Sequence, residues 1–205
     1  MSEKQNGSSM LEALGVLAVL GMIGISTIKF IGAIYDKFIQ NMVVVEARDL
    51  QKSISDRYRF DGNYIKLFSG RSCEGSDSVA DFLCGTCAEC NEKDRLVPFQ
   101  MCKNGKIVHK GNGDVQICEY EGETDKYYMI YHGLTKTVCA ALAQVDWHTR
   151  QKSEIYQMVI NPEKSSEFNV ISPVIGVSGN SFPITADQAT KACVEEINTV
   201  QFVFF

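Results

Sequence analysis

No cysteine precedes Cys73 and no proline precedes Pro98, although the 205-residue chain carries eight of the one and four of the other. The missing proline means that nothing in the first part of the chain forces a helix to break. The missing cysteine excludes covalent staples there. The later cysteines, even in number, read as a disulfide-stapled domain that folds in an oxidising compartment. A basic excess is also absent: 20 Lys and Arg face 25 Asp and Glu, net charge −5, so composition offers no footprint for nucleic acid. Catalytic signatures are lacking too. There is no Gly-x-Ser-x-Gly elbow and no His-Glu-x-x-His helix, and His109, His132 and His148 are scattered. The even cysteine count speaks against a free thiol nucleophile, so no enzymatic role and no cofactor is expected. Apolar residues at 45% and charged residues at 22% exclude wholesale disorder. The length fits one compact domain with an extended element, or at most two small domains.

That element is at the N-terminus. Ala13 to Ile28 carries no charge, and at 1.5 Å per residue it spans about 24 Å, a little less than a ~30 Å hydrocarbon core. Met10 and Leu11 before it and Phe30 to Tyr35 after it extend the apolar surface if Lys29 snorkels toward headgroups. A cleaved secretory signal fits less well, because Glu12 stands just before the run and the helical pattern continues beyond it. Apolar residues recur at helical spacing through Ile34, Phe38, Met42, Val45, Leu50, Ile54 and Tyr58, with Asp36, Lys37, Glu46, Arg48, Asp49 and Lys52 between them. A helix from about Ser9 to Arg59 would be roughly 75 Å long. Its first half must sit in lipid or against copies of itself, and its second half must lie on a folded domain.

Asn6-Gly7-Ser8-Ser9-Met10-Leu11-Glu12, followed at once by the apolar run, resembles the processing site of type IV prepilins and pseudopilins. The resemblance implies a leader over residues 1–7, cutting between Gly7 and Ser8 by a prepilin peptidase, and N-methylation of Ser8. It implies a long helix over 8–59, apolar over 10–35 and amphipathic over 36–59. Glu12 then sets assembly register. A carboxylate in an apolar helix is costly unless paired, and in a bundle it can meet the N-terminal ammonium of a neighbour. Such a buried pair adds little stability but penalises a slipped alignment. Three features depart from the family pattern. Ser8 stands where an apolar residue is usual, no proline interrupts the apolar helix, and Lys29 lies inside the apolar half and needs a carboxylate or a path to water. Gly21, Gly24 and Gly32 are local weak points, each costing about 1 kcal/mol relative to Ala.

Asp61-Gly62-Asn63-Tyr64 is a turn that closes the helix. Residues 60–94 are expected to form a Cys-rich loop and 95–205 an antiparallel sheet head. Strand-like runs are Leu96 to Cys102, Lys106 to His109 after the hairpin dipeptide Asn104-Gly105, Val115 to Tyr120 after Gly111-Asn112-Gly113-Asp114, Tyr127 to Tyr131, Ile155 to Ile160 and Val200 to Phe205. Thr135 can cap a short helix through Val145, and Thr185 or Asp187 can start another carrying Cys193. The expected class is α+β: a long helix packed on an antiparallel sheet head stapled by disulfides. Trp147, Tyr127, Tyr128 and Tyr131 read as core or sheet-face residues, and Phe202, Phe204 and Phe205 as sheet packing.

Cys102 and Cys118 flank a hairpin and are candidates to bridge adjacent strands. The segments around Cys139 and Cys193, with the closing Asn198 to Phe205, resemble the C-terminal disulfide region of type IVb pilins. That resemblance implies a Cys139–Cys193 bridge, whose loop of about 55 residues would contribute about 4 kcal/mol through chain entropy. Cys73, Cys84, Cys87 and Cys90 then pair among themselves. The same four thiols offer a zinc site, or part of an iron–sulfur motif, as alternatives. Two knuckles with the usual separation are missing, however, and export favours disulfides, so no metal is expected.

The resemblance implies a structural subunit, a major or minor pilin, that polymerises through its N-terminal helix. Its partners would be copies of itself or other pilins, the prepilin peptidase, and an inner-membrane assembly platform with its ATPase. It would span the inner membrane before assembly and lie in an extracellular pilus afterwards. A pseudopilin of a type II secretion-like machine, and an uncleaved signal-anchored binding or metal protein, are the alternatives.

Overall fold

A computed structural model of the chain describes residues 6–58, 61–74, 78–85, 96–120, 122–147, 155–163, 168–171 and 182–205. The first helix, α1, runs over Asn6–Tyr58, starting ahead of the expected Ser9. The chain divides into two compact units between Phe38 and Ile39, and α1 contributes to both.

In the unit from Ile39 onward, α1 buries Val43, Ala47, Leu50, Ile54 and Tyr58. Steps of three and four residues keep these on one stripe of a 3.6-residue helix. The stripe joins a single apolar core with the sheet. Two short helices follow, α2 (Ile65–Phe68) and α3 (Val79–Cys84), so the stretch expected as loop is partly helical. Ser78 caps α3 by accepting from the Asp81 N–H, and Gly85 ends it at φ 68°. Tyr64 ties the turn after α1 to the sheet: its N–H donates to the Thr124 carbonyl and its hydroxyl to the Phe205 carbonyl, each at 2.6 Å.

The strands are β1 (Cys102–Lys103), β2 (Lys106–Val108), β3 (Asp114–Tyr120), β4 (Glu123–Leu134), β5 (Ile155–Ile160), β6 (Phe168–Ile171) and β7 (Asn198–Phe204), with helix α4 (Lys136–Ala143) after β4 and α5 (Ala186–Ala192) before β7. They form one antiparallel sheet in the order β1-β2-β3-β4-β7-β5-β6. Alternation places one face of the sheet on the core. Three rows of buried side chains cross it: Ile117, Met129, Phe202 and Met158; Val115, Tyr131, Val200 and Ile160; and Tyr127, Phe204 and Ile155. Trp147 meets Phe202 and Phe204 edge-on, with centroids 5.1 and 5.0 Å apart. The fold is α+β, a long helix on an antiparallel sheet with disulfides.

Several expectations need correction. The run from Leu96 to Cys102 is not a strand: Pro98 leads into a 3₁₀ turn over Phe99–Met101, and β1 begins at Cys102. β4 begins at Glu123, earlier than Tyr127, and β6 was not foreseen. Cys102 does not bond Cys118. β2 lies between β1 and β3, which puts their backbones about 10 Å apart, beyond disulfide reach. Instead Cys102 bonds Cys84, with Cα atoms 5.7 Å apart, and Cys118 bonds Cys73, at 4.9 Å. Cys73 and Cys84 are therefore not paired within the set of four, which also removes the four-thiolate metal alternative. Cys87 and Cys90 lie outside the described residues. Cys139 bonds Cys193 across α4 and the end of α5, at 5.9 Å.

Candidate assembly surface

Between Met10 and Phe38, fifteen large apolar side chains are each 50% to 72% exposed, among them Leu14, Leu17, Ile28 and Phe30. Within Glu12–Tyr58 one stretch is long and apolar enough to cross a bilayer, and none of it is buried. Helix forms here because no proline interrupts it, because a run this apolar has to satisfy its backbone hydrogen bonds internally, and because its polar members are satisfied locally. Ser26 donates to the Met22 carbonyl at 2.9 Å, and Thr27 to those of Gly24 and Ile23 at 2.8 and 3.1 Å. A Cβ added at Gly15, Gly21, Gly24 or Gly32 would meet nothing within 4 Å. Gly7 and Ser8 lie in the opening turns of α1. Glu12 and Lys29 are exposed, and neither has an ion-pair partner among the described residues.

In the head, sequence reasoning missed a buried polar cluster on the docked half of α1. Glu46 is 7% exposed, and its carboxylate accepts the Lys110 N–H at 2.8 Å. Burial raises its pKa against the lowering effect of that hydrogen bond. Beside it His109, at 2% exposure, faces the His132 carbonyl through Nε2 at 2.9 Å and accepts the Gly111 N–H at Nδ1, at 3.0 Å. These partners select the neutral tautomer protonated at Nε2. Burial lowers the pKa of this imidazole, while Tyr131 is pushed up by burial and by the nearby Glu46 charge. The turn packs so closely that a Cβ on Gly113 would lie 1.8 Å from the His132 carbonyl oxygen. Among the histidines, His109 is thus a satisfied structural residue. The only advance signal was a glutamate on the core-facing side of an amphipathic helix.

Two further features mark the head. Lys126 lies under Tyr120, Tyr156 and Phe205, its ammonium 5.7, 4.8 and 5.9 Å from their ring centres, and it pairs with Glu123 and Asp125. The Glu123 hydrogen bond holds its pKa above the ordinary lysine value. A cleft of about 600 Å³ lies beside the Cys73 bridge, lined by Glu74, Asp81, Asp114, Lys106 and Gln116 among others. No cluster of metal-ligating side chains occurs among the described residues.

No protein-family model matches the chain, and a search of curated proteins finds no significant match. Among solved structures the chain is similar to TcpA, a type IV pilin from Vibrio cholerae El Tor biotype, at 13% identity and a TM-score of 0.46, over 82% of this chain and 99% of that one.

Proposed function

We propose that this chain is a structural subunit, a major or minor pilin, of a type IV pilus. One observation carries the proposal: an exposed apolar helix from Met10 to Phe38 directly follows Gly7-Ser8 and contains Glu12. An apolar rod of that size is unstable in water and needs lipid or other rods. Before assembly the inner membrane supplies the lipid. After a prepilin peptidase cuts between Gly7 and Ser8 and Ser8 is methylated, copies of the helix cover one another in the filament core. The disulfide-bonded head, suited to an oxidising exterior, forms the outer surface. An inner-membrane platform with its ATPase extracts the subunit from the bilayer, and Glu12 fixes its axial register.

Mass spectrometry of the mature N-terminus tests this, together with electron microscopy of cells carrying the assembly machinery. The expected product begins at a methylated Ser8 and is found in surface filaments labelled by an antibody to the head. Gly7→Val should retain residues 1–7 and abolish the filaments. An intact Met1 in a membrane-anchored product, with no filaments, would overturn the proposal in favour of a signal-anchored protein.

A further inference from the structure

Along α1, Glu12, Ser26, Lys29 and Asp36 fall within about 120° of the helix circumference. At the 3.5-residue period of supercoiled helices, all four take the a and d positions of one seam. Ser26 is satisfied within its own helix, donating to the Met22 carbonyl, and the proposed function gives Glu12 the terminal ammonium of a neighbour. Lys29 and Asp36 are left. Both are exposed, and neither has an ion-pair partner among the described residues. Resting on the pilin reading above, we infer that Lys29 of one copy pairs with Asp36 of a second copy in the filament core.

Neither residue finds its partner within the chain. Lys29 and Asp36 lie on one face but about 10.5 Å apart along the axis, beyond the one-turn spacing at which helical pairs meet. Lys37 follows Asp36 directly, and adjacent residues on a helix do not face each other. A lysine inside a bundle of apolar rods is costly unless paired, so its carboxylate must come from another copy. The register brings Asp36 there. When residue 8 of one copy stands level with Glu12 of another, the first copy is displaced by four residues, about 6 Å, toward its C-terminus. Its Lys29 then stands level with Ala33 of the other copy, about 4.5 Å short of Asp36. The flexible four-carbon lysine stem spans that gap. The two contacts therefore act in one sense: one copy supplies both acids, the other both cations, and no charge is stranded. A seam facing the centre of the bundle meets one copy displaced toward the C-terminus and another displaced away from it. Each chain gives its acids to one and its cations to the other, a heterologous contact that propagates as an open filament.

The full-length chain, expressed with its assembly machinery, gives the test. Lys29→Glu and Asp36→Lys should each reduce filament yield more than about tenfold, with membrane insertion and the Cys139–Cys193 bridge retained. The doubly substituted chain should recover most of the yield. In filaments of the unsubstituted chain doped with both Lys29→Cys and Asp36→Cys chains, a disulfide should join two different copies, and doping with either variant alone should give none. A double variant as defective as Lys29→Glu, where the unsubstituted chain forms filaments, would overturn the pairing and leave the pilin reading intact. Full yield from Lys29→Glu would do the same. Absence of filaments from the unsubstituted chain would overturn both.

Discussion

The segment up to Phe38 and the unit from Ile39 use the same apolar residues under opposite rules. Leu50 in the head is fully buried, while Leu17 in the span is 64% exposed. Long-range contacts differ likewise: Ser26 and Thr27 bond to their own helix, whereas in the head Tyr64 reaches across the fold to the Phe205 carbonyl even though Thr190 bonds within its own helix. One region is completed by the head's own chain. The other has its apolar side chains exposed in the single chain, and the proposed function supplies packing partners from lipid or other copies.

This contrast can be broken in graded ways. Replacing Cys139 and Cys193 together by Ser should cost the head about 4 kcal/mol, from the entropy of a loop spanning 54 residues. Denaturant unfolding of the detergent-solubilised chain reads that loss, and helicity of the apolar span should not change. Leu50→Ala should destabilise the head by about 3 kcal/mol. Leu17→Ala should leave the monomer's unfolding midpoint within about 0.5 kcal/mol and lower filament yield instead. Equal effects of the two substitutions on the monomer would erase the distinction. Glu46→Ala should cost about 2 kcal/mol, because the Lys110 N–H is left without its acceptor.

The smallest effect is in the pH profile. His109 has its folded pKa depressed by burial, so the unfolded chain binds its proton first. Its neutral form contributes fully above the ordinary histidine value near ~6.5, and stability falls as pH drops below that toward the lowered folded value. Glu46, raised by burial, acts in the other direction. Its charge burdens the fold at neutral pH, and the burden lifts as pH falls through its raised value. His109→Gln should flatten the decline of melting temperature that begins below about pH 6.5. An unchanged profile would remove the imidazole from this account.

Local chemistry made much of the fold legible beforehand. The long helix followed from an uninterrupted apolar period. Asn104 and Gly105, at φ 51° and 74°, form the hairpin turn their residue types demand. Thr135 and Thr185 cap their helices as Ser/Thr does before an apolar stripe. What depended on long-range pairing was not legible. That Cys102 does not bond Cys118 follows from β2 lying between β1 and β3, and no spacing rule contains that fact. α3 was hidden by the cysteine-rich composition around it, although Ser78 with Asp81 three residues on is an N-terminal signature. The Glu46–Lys110 contact joins positions 64 residues apart. At the candidate site, Glu12 and Lys29 stand out by local chemistry, since a charge in an apolar run needs no tertiary context to be conspicuous, whereas Gly7 and Ser8 rest on the resemblance to a prepilin processing site.

The position of β7 has a consequence for biogenesis. Asn198–Phe204 lies between β4 and β5, so the strand that leaves the ribosome last among those described is the one that joins the two halves of the sheet. Until it emerges, β1 to β4 and β5 to β6 are separate ribbons. A head whose synthesis stopped short of β7 would therefore expose an open edge on each ribbon. A finished head differs from an unfinished one in whether that seam has closed.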